Sequence, residues 1–596
     1  MKINRPTLRL FLLKTIIILS VLTSYFSAAN EALTTTKLLF VGSAHSNKAK
    51  VSLLKEIANK SKKNNWQITY KSASSLQNLS QAQALFNQQD IIVFDAVSAN
   101  ESEKTFAKYL PLLNKATGKS HIKYISFNWL TNERSHQGFS KKQLQTLTDY
   151  WQNAGRQNLA NLLRFLMVNV LQKNSDIAIK SPIIFPQQGI YHPNQPNLIS
   201  NSLTVYQAWS APKKDQPRVA ILLQRALIES EQTQLIDATI KQLEEKGIYV
   251  VPFFFELSRT SGDYRHLLYL EHELAGQLAR QVEQISQIDL IINFRNIHWA
   301  NKRKVEFEQF GVPVIQAMTY YSGDQQTWEA DKQGVSAGMM SFTLVLPESA
   351  GVVDPIVIAA MDMKNQTIQI IDYQLKHLIN KAVNLVKLKY KANKDKKLTV
   401  FIWGDQDVGA SFMNVPASLT AISQHLASKG YSTAYRDQSY LTNNVNRILD
   451  PFYREYQLTQ LLEDDLAELM PMKSYLTWFN KLPIEVTEPI NQHWGNPKDH
   501  FMAVERGGEH YFILPRMRDG NVLIMRQPPR TDKKNDEDAV YHQGIVPMNH
   551  FYLAAYYYAR EYWQSDAIVH LGTHGSQEYL GGKERGLSIY DQGNLA

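Results

Sequence analysis

The chain has 596 residues, of which 44% are hydrophobic and 20% are charged. This is the composition of an ordinary globular protein, and the length predicts several domains because a single hydrophobic core does not grow so large. The formal net charge of +9 is mild for this length, and no dense lysine and arginine stripe alternates with aromatic residues, which argues against nucleic-acid binding. The absence of cysteine excludes disulfides, cysteine-zinc sites and thiolate nucleophiles.

The first residues have the pattern of a secretory signal peptide. A short apolar run, 15–26, ends in small residues at 27–29. The basic residues that precede this run are Lys2, Arg5, Arg9 and Lys14. Because the run is too short to cross a bilayer comfortably, we expect residues 1–29 to be a signal peptide and the protein to be exported, to the periplasm. A misassigned start site would instead leave the protein in the cytoplasm.

Near-continuous apolar strands alternate with amphipathic helices in two stretches, 30–185 and 186–355. In the first stretch strands are predicted at 37–41, 90–94 and 122–127 and a helix at 158–171. In the second, strands are predicted at 218–223, 248–253, 289–293 and 313–316 and a helix at 235–246. This alternation is typical of parallel sheets with helices on both faces, so we predict an α/β fold of flavodoxin-like or Rossmann-like units in series.

A helical connector is predicted at 356–397, with its helix at 366–388 and a lysine-rich end. That end is either a solvated connector or a basic patch that binds a membrane surface. A third α/β unit is expected at 398–596, beginning with a strand at 398–402 and incomplete at Ala596.

The C-terminal segment carries the clearest chemical pattern, in which His570, His574 and Glu578 follow one another at intervals of four among glycines. Imidazole and carboxylate groups suit metal binding or proton transfer. The apolar run 567–569 predicts a strand and 576–579 the start of a helix, which places the pattern at a strand-to-helix turn, where α/β proteins keep their ligand sites. The alternative is a buried strand end with a satisfied histidine and an N-capped helix.

Two upstream features are weaker. His550 precedes a tyrosine-rich helix predicted at 551–562, where it either presents its ring to a cleft or is an N-terminal helix residue over an aromatic core. The segment 404–411 follows a strand like a phosphate-binding turn. It lacks the P-loop and GxGxxG spacings, so nucleotide binding is not predicted.

Together these motifs resemble the CobN/magnesium chelatase H family, the large ring-binding subunits of cobaltochelatase and magnesium chelatase. The resemblance rests mainly on the string from His570 through Gly582-Lys583 to Ser588. Motifs that agree in order and spacing are Trp328-Glu-Ala, Gly520-Asn-Val, Gln527-Pro-Pro-Arg530, Tyr541-His542 and Pro547-x-x-His550. The likeness covers most of the chain after residue 29.

The resemblance implies a subunit that holds a tetrapyrrole, either a corrin or a porphyrin, while Co²⁺ or Mg²⁺ enters it as substrate. Such a subunit belongs to a metal chelatase, a ligase that forms nitrogen–metal bonds, as in cobalamin biosynthesis, and ATP acts only through AAA+ partner subunits. The implied roles are catalysis by Glu578 and His574, metal contacts from His570, His574 and Glu578, and ring binding by His550, Arg530 and Lys583. Two pyrrolic protons must leave as the metal enters, so a carboxylate and imidazoles can act as bases and transient ligands.

Three features depart from the family pattern. Family members are typically about twice as long, Tyr579 replaces a common tryptophan, and the predicted signal peptide would remove the chain from any ATP pool. The alternative is therefore an exported protein of the same family that binds tetrapyrroles, corrinoids or metal in the cell envelope, or removes metal from a ring, without ATP-driven activity. Its partner would then be an envelope transporter rather than an AAA+ subunit.

Overall fold

The computed structural model describes residues 35–43, 46–60, 65–96, 98–117, 122–127, 136–173, 178–255, 264–273, 282–363, 367–403, 413–434, 437–450, 452–531, 546–572 and 580–595. The predicted signal peptide, 1–29, and the predicted site residues His574 and Glu578 lie outside these ranges. Within them, no helix has both the length and the apolar composition that a membrane crossing needs.

The chain divides into two compact units. The first comprises Met1–Pro186, Arg225–Thr233 and Asn365–Thr367, and the second comprises Gln187–Gln224, Gln234–Lys364 and Ile368–Ala596. Both contain largely parallel sheets and helices, which confirms the predicted α/β fold class.

The first unit is flavodoxin-like. Its strands are β1 (Thr36–Gly42), β2 (Trp66–Ser72), β3 (Ile91–Asp95), β4 (Lys123–Phe127) and β5 (His136–Gln137). Its helices are α1 (Lys48–Lys60), α2 (Leu79–Phe86), α3 (Ala99–Phe106), α4 (Leu110–Thr117), α5 (Lys141–Asn153) and α6 (Gly155–Phe165), with a short helix at Arg225–Glu229. The strand order over the described residues is β2-β1-β3-β4-β5, parallel except for β5, which matches the flavodoxin order.

Local sequence explains these elements. β3 is buried throughout, as its apolar run requires. Asn78, Ser98 and Ser140 cap α2, α3 and α5, because each side chain accepts a hydrogen bond from a backbone N–H group of the first turn. β2 was not predicted, because Trp66–Ser72 is an edge strand with polar residues between its apolar ones.

The second unit begins with a mixed sheet. Its strands are β6 (Gln188–Tyr191), β7 (Ile199–Ser200), β8 (Arg218–Leu222), β9 (Tyr249–Phe255), β12 (Leu290–Asn293), β13 (Val314–Tyr320), β14 (Val352–Asp362) and β15 (Thr367–Ile370), and a separate hairpin pairs β10 (Tyr269–Glu273) with β11 (Val282–Ser286). Its helices are α7 (Leu203–Ser210), α8 (Gln234–Glu245), α9 (Ala300–Phe310), α10 (Gln325–Ala330), α11 (Ala337–Met340), α12 (Leu346–Ser349) and α13 (Asp372–Tyr390). The described order is β15-β14-β13-β12-β8-β9-β6-β7, with a parallel centre from β14 to β9.

A further sheet completes the second unit. Its strands are β16 (Leu398–Ile402), β17 (Ala467–Pro471), β18 (Ala503–Arg506), β19 (Glu509–Asp519), β20 (Val522–Arg526) and β21 (Ala567–Leu571). Its helices are α14 (Val415–Ser428), α15 (Gln438–Ile448), α16 (Glu455–Glu463), α17 (Met472–Phe479), α18 (Ile484–Trp494), α19 (His550–Tyr557) and α20 (Gln592–Leu595). The order is β17-β19-β20-β16-β21, in which β20, β16 and β21 run parallel.

One predicted boundary was wrong. The helix expected from residue 366 begins at Asp372, and the preceding Thr367–Ile370 is strand β15. Threonine and two isoleucines alternate there with a polar residue, which favours a strand, and Asp372 stabilises the first turn of the helix that follows.

Candidate functional site

Three parallel strands of the second unit end side by side at one edge of a sheet, and a motif-bearing segment follows each of them in the chain. Ile402 of β16 pairs with Arg526 of β20 on one side and with Leu571 of β21 on the other. The segments that follow these strands in the chain are 403–412, 527–531 and 572–579. Carboxyl ends of parallel strands are where α/β folds place ligand sites, so this edge is the candidate site.

His570 is the next-to-last residue of β21, close to this edge, and it is partly exposed to solvent. Its Nε2 lies 2.9 Å from the hydroxyl group of Tyr556, and its ring stacks on Phe401 at 5.9 Å between centroids. Loss of hydration on the packed side lowers the pKa of His570 below its usual value. The imidazole is therefore neutral at neutral pH, the form that accepts a proton or binds a metal ion.

Asn549 joins the Gln527-Pro-Pro-Arg530 segment to the start of helix α19. Its backbone N–H donates to the carbonyl oxygen of Arg530 at 3.3 Å, and its side-chain amide donates to the carbonyl oxygen of Pro529 at 3.3 Å. Its side-chain oxygen accepts from the backbone N–H of Tyr552 at 2.7 Å, which caps the helix. The helix predicted from residue 551 begins at His550, and this motif segment is fixed to its first turn.

Two tyrosines of α19 connect this helix to residues at the ends of β20 and β21. The hydroxyl group of Tyr552 accepts from the side-chain amide of Gln527 at 2.8 Å, and that of Tyr556 contacts His570. The two tyrosines are four residues apart, so they lie on one face of the helix, with ring centroids 5.1 Å apart. This face links the segment after β20 to the end of β21.

His550 is only 1% exposed, and protein atoms occupy both of its ring nitrogens. Nε2 lies 3.3 Å from the carbonyl oxygen of Gly495 and Nδ1 lies 2.8 Å from the hydroxyl group of Tyr475. A carbonyl oxygen only accepts, so Nε2 carries the proton of the neutral ring and Nδ1 accepts from Tyr475. Burial raises the pKa of Tyr475 well above its usual value, which keeps that donor protonated.

Arg530 is also buried, at 1% exposure, and its side chain lies within the protein rather than on the surface of the edge. A cavity of about 320 Å³, including its open mouth, adjoins the preceding prolines. The cavity is lined by Ile448, Asp450, Tyr453, Met502, Pro515, Met525, Arg526, Pro528, Pro529, Phe551 and Ala555. An aspartate and an arginine in a largely apolar wall suit a ligand with an apolar body and a few polar substituents.

Lys583 contacts a different part of the second unit. Its ammonium group donates to the carbonyl oxygens of Glu329 at 2.8 Å and Asp331 at 2.9 Å, and lies 5.2 Å from the ring centroid of the buried Trp328. The lysine of the C-terminal motif therefore binds a second motif that resembles the family, Trp328-Glu-Ala. We name residues 580–592 the clasp, because this segment runs from the candidate site onto the β13–β14 region.

The clasp makes further contacts with the rest of the second unit, and two of them require glycine. Gly334 pairs with Arg585 in a parallel bridge, and a β-carbon at Gly334 would lie 1.9 Å from the carbonyl oxygen of Arg585. Gly586 has φ +63° and faces Val357 at a distance that leaves no room for a side chain. The buried side chain of Gln374 donates to the carbonyl oxygen of Leu587 at 3.2 Å, which secures the C-terminal half of the clasp.

The predicted metal ligands lie partly inside and partly outside the described ranges. His570 is described, whereas His574 and Glu578 lie outside the described ranges. Among the described residues alone, no group of three histidine, aspartate or glutamate side chains could hold a metal ion. The three-residue ligand set therefore remains a prediction.

Sequence reasoning missed Asn549 and Tyr556, which position this edge, and it named Gln527 only as part of a motif. The spacing of Tyr552 and Tyr556 was the available signal, since residues four apart share a helix face. It indicates a shared face, but it does not identify the strand residues that the face contacts.

The chain is similar to known chelatase subunits. A family model for CobN/Magnesium Chelatase matches residues 148–595. Magnesium-chelatase subunit ChlH of Oryza sativa subsp. indica is 24% identical over 459 residues, which cover 74% of this chain and 32% of that protein. Aerobic cobaltochelatase subunit CobN of Sinorhizobium sp is 24% identical over 398 residues, covering 63% and 29%. The catalytic subunit of cobaltochelatase from Mycobacterium tuberculosis has a TM-score of 0.66 at 18% identity, covering 94% of this chain and 45% of that one.

The serial α/β sheets match the fold of that cobaltochelatase subunit. The family model spans well over half of the sequence, so the chain belongs to the CobN/magnesium chelatase family. It spans about a third of the length of the curated relatives it matches. The structural likeness establishes the fold.

Proposed function

We propose that the chain binds a tetrapyrrole at the carboxyl edge of β20, β16 and β21 and assists the entry of a divalent metal ion into the ring. The observation that carries the proposal is the parallel arrangement of these strands, since it places the three strand ends from which the motif segments continue side by side at one edge. Family membership supports the same substrate class, because the similar proteins are named as cobalt and magnesium chelatase subunits.

His570 would serve this reaction as a neutral imidazole held by Tyr556. Metal entry requires two pyrrolic protons to leave the ring, and a neutral imidazole can accept one of them. Glu578 and His574, which follow in the same segment, would supply a carboxylate and a second imidazole as base and transient metal ligand. Nitrogen and oxygen donors without thiolates suit Co²⁺ or Mg²⁺.

His550 would act on this site as a positioning residue, because both of its nitrogens bind protein atoms. Arg530 and Lys583 would contact ring carboxylates only after side-chain rearrangement, since the first is buried and the second donates to two carbonyl oxygens. ATP would act through separate AAA+ subunits.

The test is an absorbance and fluorescence titration of the full chain with a metal-free porphyrin and a metal-free corrin. The double variant Glu578→Gln, His574→Gln should bind the ring several-fold more weakly and should not support insertion of Co²⁺ or Mg²⁺. Glu584→Gln is the matched control, because Glu584 is an exposed carboxylate on the adjoining clasp. Failure of the wild type to bind any ring, or equal effects in both variants, would contradict the proposal.

A second candidate function is favoured by the basic and apolar pattern of residues 1–29. The protein would be exported and would bind tetrapyrrole or metal in the cell envelope beside a transporter, without an ATP-driven partner. Cell fractionation with sequencing of the mature N-terminus tests it. Cleavage near Ala29 supports export, and an intact Met1 in the cytosol contradicts it.

A further inference from the structure

The parallel centre of the first sheet in the second unit has a topological switch point. From β8 the chain passes to β9 on one side, and it later returns to β12 on the other side of β8. Ligands of open α/β sheets bind in the crevice outside the carboxyl ends of the strands at such a point. The residues there are Asn293 at the end of β12 and Arg295 just after it, Phe255 at the end of β9, and Arg303 in the first turn of α9.

Two buried arginines meet on one aromatic ring at this point. The guanidinium carbon of Arg295 lies 4.8 Å from the ring centroid of Phe255, and that of Arg303 lies 5.0 Å from it. Tyr264 stacks on the same phenylalanine with ring centroids 3.8 Å apart. Arg303 is 1% exposed and Arg295 is 7% exposed, so both positive charges lie inside the protein.

The guanidinium of Arg303 uses only part of its donor capacity. Nη1 binds the carboxylate of Glu306 and lies 3.3 Å from the hydroxyl group of Tyr264. Nε and Nη2 are buried and have no hydrogen-bond partner in the part of the chain that the structure describes. Two adjacent donors of one guanidinium match the two oxygens of a carboxylate or phosphate, so the missing partner has the geometry of an oxyanion.

The loop that carries Arg295 is held rigidly. The side-chain amide of Asn293 donates to the carbonyl oxygen of Arg295 at 2.8 Å and to the side-chain oxygen of Gln316 at 2.6 Å. Both amide side chains are fully or almost fully buried, at 0% and 2% exposure. A loop fixed in this way pre-organises the arginine for a ligand, because little conformational freedom remains to be lost on binding.

The approach to α9 is aromatic. Trp299 directly precedes the helix and is 41% exposed, and Phe342 is 37% exposed. His298 lies between these rings, at centroid distances of 6.2 Å and 5.0 Å. Exposed aromatic rings beside buried cations suit an organic anion that has an apolar body, since each part of such a ligand meets a matching surface.

We propose that the switch point of β8 and β12 is a binding site for a small organic oxyanion, whose carboxylate or phosphate group pairs with Nε and Nη2 of Arg303. None of the residues of this site belongs to the strand edge proposed for the tetrapyrrole. The proposal for this site therefore does not depend on the proposed function. The amino-terminal end of α9 adds favourable backbone dipoles for the negative charge.

The test is isothermal titration of the full chain with benzoate, phenyl phosphate and inorganic phosphate, each against chloride at equal ionic strength. Benzoate and phenyl phosphate distinguish the two head groups, and inorganic phosphate reports the contribution of the apolar body. We expect at least one organic anion to bind, and Arg303→Lys to weaken that binding about tenfold or more. Lysine keeps the positive charge beside Glu306 but cannot form the two-donor fork.

Lys302→Gln is the matched control, because it removes an exposed positive charge from the same helix and should leave binding unchanged. Should Arg303→Lys fail to fold by circular dichroism, Arg295→Gln, which removes the second guanidinium group at Phe255, carries the same test and should also weaken binding. Absence of binding to the wild type, or equal affinity in wild type and in the folded arginine variant, would overturn the proposal.

Discussion

The hydroxyl group of Tyr556 lies 2.9 Å from Nε2 of His570. This contact holds the first histidine of the C-terminal motif against helix α19, whose Tyr552 holds Gln527 in the same manner. Because both tyrosines belong to one helix face, a shift of α19 would move two motif segments together. The helix is therefore the element that sets the geometry of the candidate site.

Tyr556→Phe should weaken metal binding while leaving the stability of the fold largely intact. Its ring would keep the stacking on Phe401, at 4.5 Å between centroids, so the loss of stability should be about 1 kcal/mol. Co²⁺ binding measured by absorbance should weaken several-fold, because the His570 ring loses its restraint. Tyr552→Phe is the control, since it removes a hydroxyl from the same face but leaves His570 in place. Equal losses of Co²⁺ affinity in both variants would contradict this role.

The protonation of His570 gives a second prediction. Burial lowers its pKa below the ordinary value of 6.5, so the folded protein binds this proton more weakly than the unfolded chain. The histidine should therefore destabilise the fold as pH falls below about 6.5 and have no effect at higher pH. Histidine-selective ¹³C NMR titration, assigned with His570→Gln, measures this directly. A midpoint at or above 6.5 would exclude the effect.

The sequence predicted the strands that are continuous apolar runs, such as β3, β8 and β16, because burial on both faces leaves that signal. It did not predict β17, β18 and β19. β17 pairs with residues of β19 that are distant in the chain, whereas β18 and β19 form a local hairpin across Gly507-Gly508, a turn signal in the sequence that was not recognised. The outer strands β2 and β15 were missed because polar residues interrupt their apolar pattern, and missing β15 placed the predicted start of α13 too early.

For the candidate site, too, the sequence predicted the local features but not the contacts between distant segments. Spacing identified His570 at a strand end, and the structure confirms that placement. The partner Tyr556 depends on how a helix packs on a sheet, which no local pattern encodes. Lys583 is the sharper case, because the family resemblance implied that it contacts the ring. Its observed acceptors, the carbonyl oxygens of Glu329 and Asp331, lie about 250 residues away in the chain.

Lys583→Met should loosen the clasp. The variant removes two charge-assisted hydrogen bonds and the contact with Trp328, so docking should lose about 2–3 kcal/mol. Hydrogen exchange should accelerate in residues 580–592 and 325–335. The exposed Lys332 provides the control variant Lys332→Met, which should leave both peptides unchanged. Reduced ring affinity with unchanged exchange would instead identify Lys583 as a ring-binding residue.

The bridge between Gly334 and Arg585 can be tested with a pair of glycines. Gly334 and Gly351 both have positive φ, at +71° and +84°, so alanine at either should cost about 1 kcal/mol in backbone strain. Only at Gly334 would the new β-carbon meet a backbone oxygen, whereas the space around Gly351 is open. We expect Gly334→Ala to cost about 2 kcal/mol more and to release the clasp in hydrogen exchange. Equal effects in the two variants would show that the bridge contributes nothing.

Asp95 should give the first unit a stability that rises with acidity. This carboxyl group at the end of β3 is 7% exposed, and burial raises its pKa to about 6, although the indole N–H of Trp151 donates to it at 2.8 Å. Because the folded state binds the proton more tightly than the unfolded chain does, stability should increase as pH falls from about 7 toward 4. The ionised form at higher pH should cost about 3 kcal/mol.

Asp95→Asn should therefore stabilise the first unit above pH 7 and remove its dependence on pH between 4 and 7, because an amide can still accept from Trp151. Hydrogen exchange of peptides from β1 and β3, compared between wild type and variant at each pH, measures the effect within this unit. Glu103→Gln makes the same carboxylate-to-amide change at an exposed position of α3 and should leave the pH dependence intact. A pH dependence that persists in Asp95→Asn would assign it to other groups.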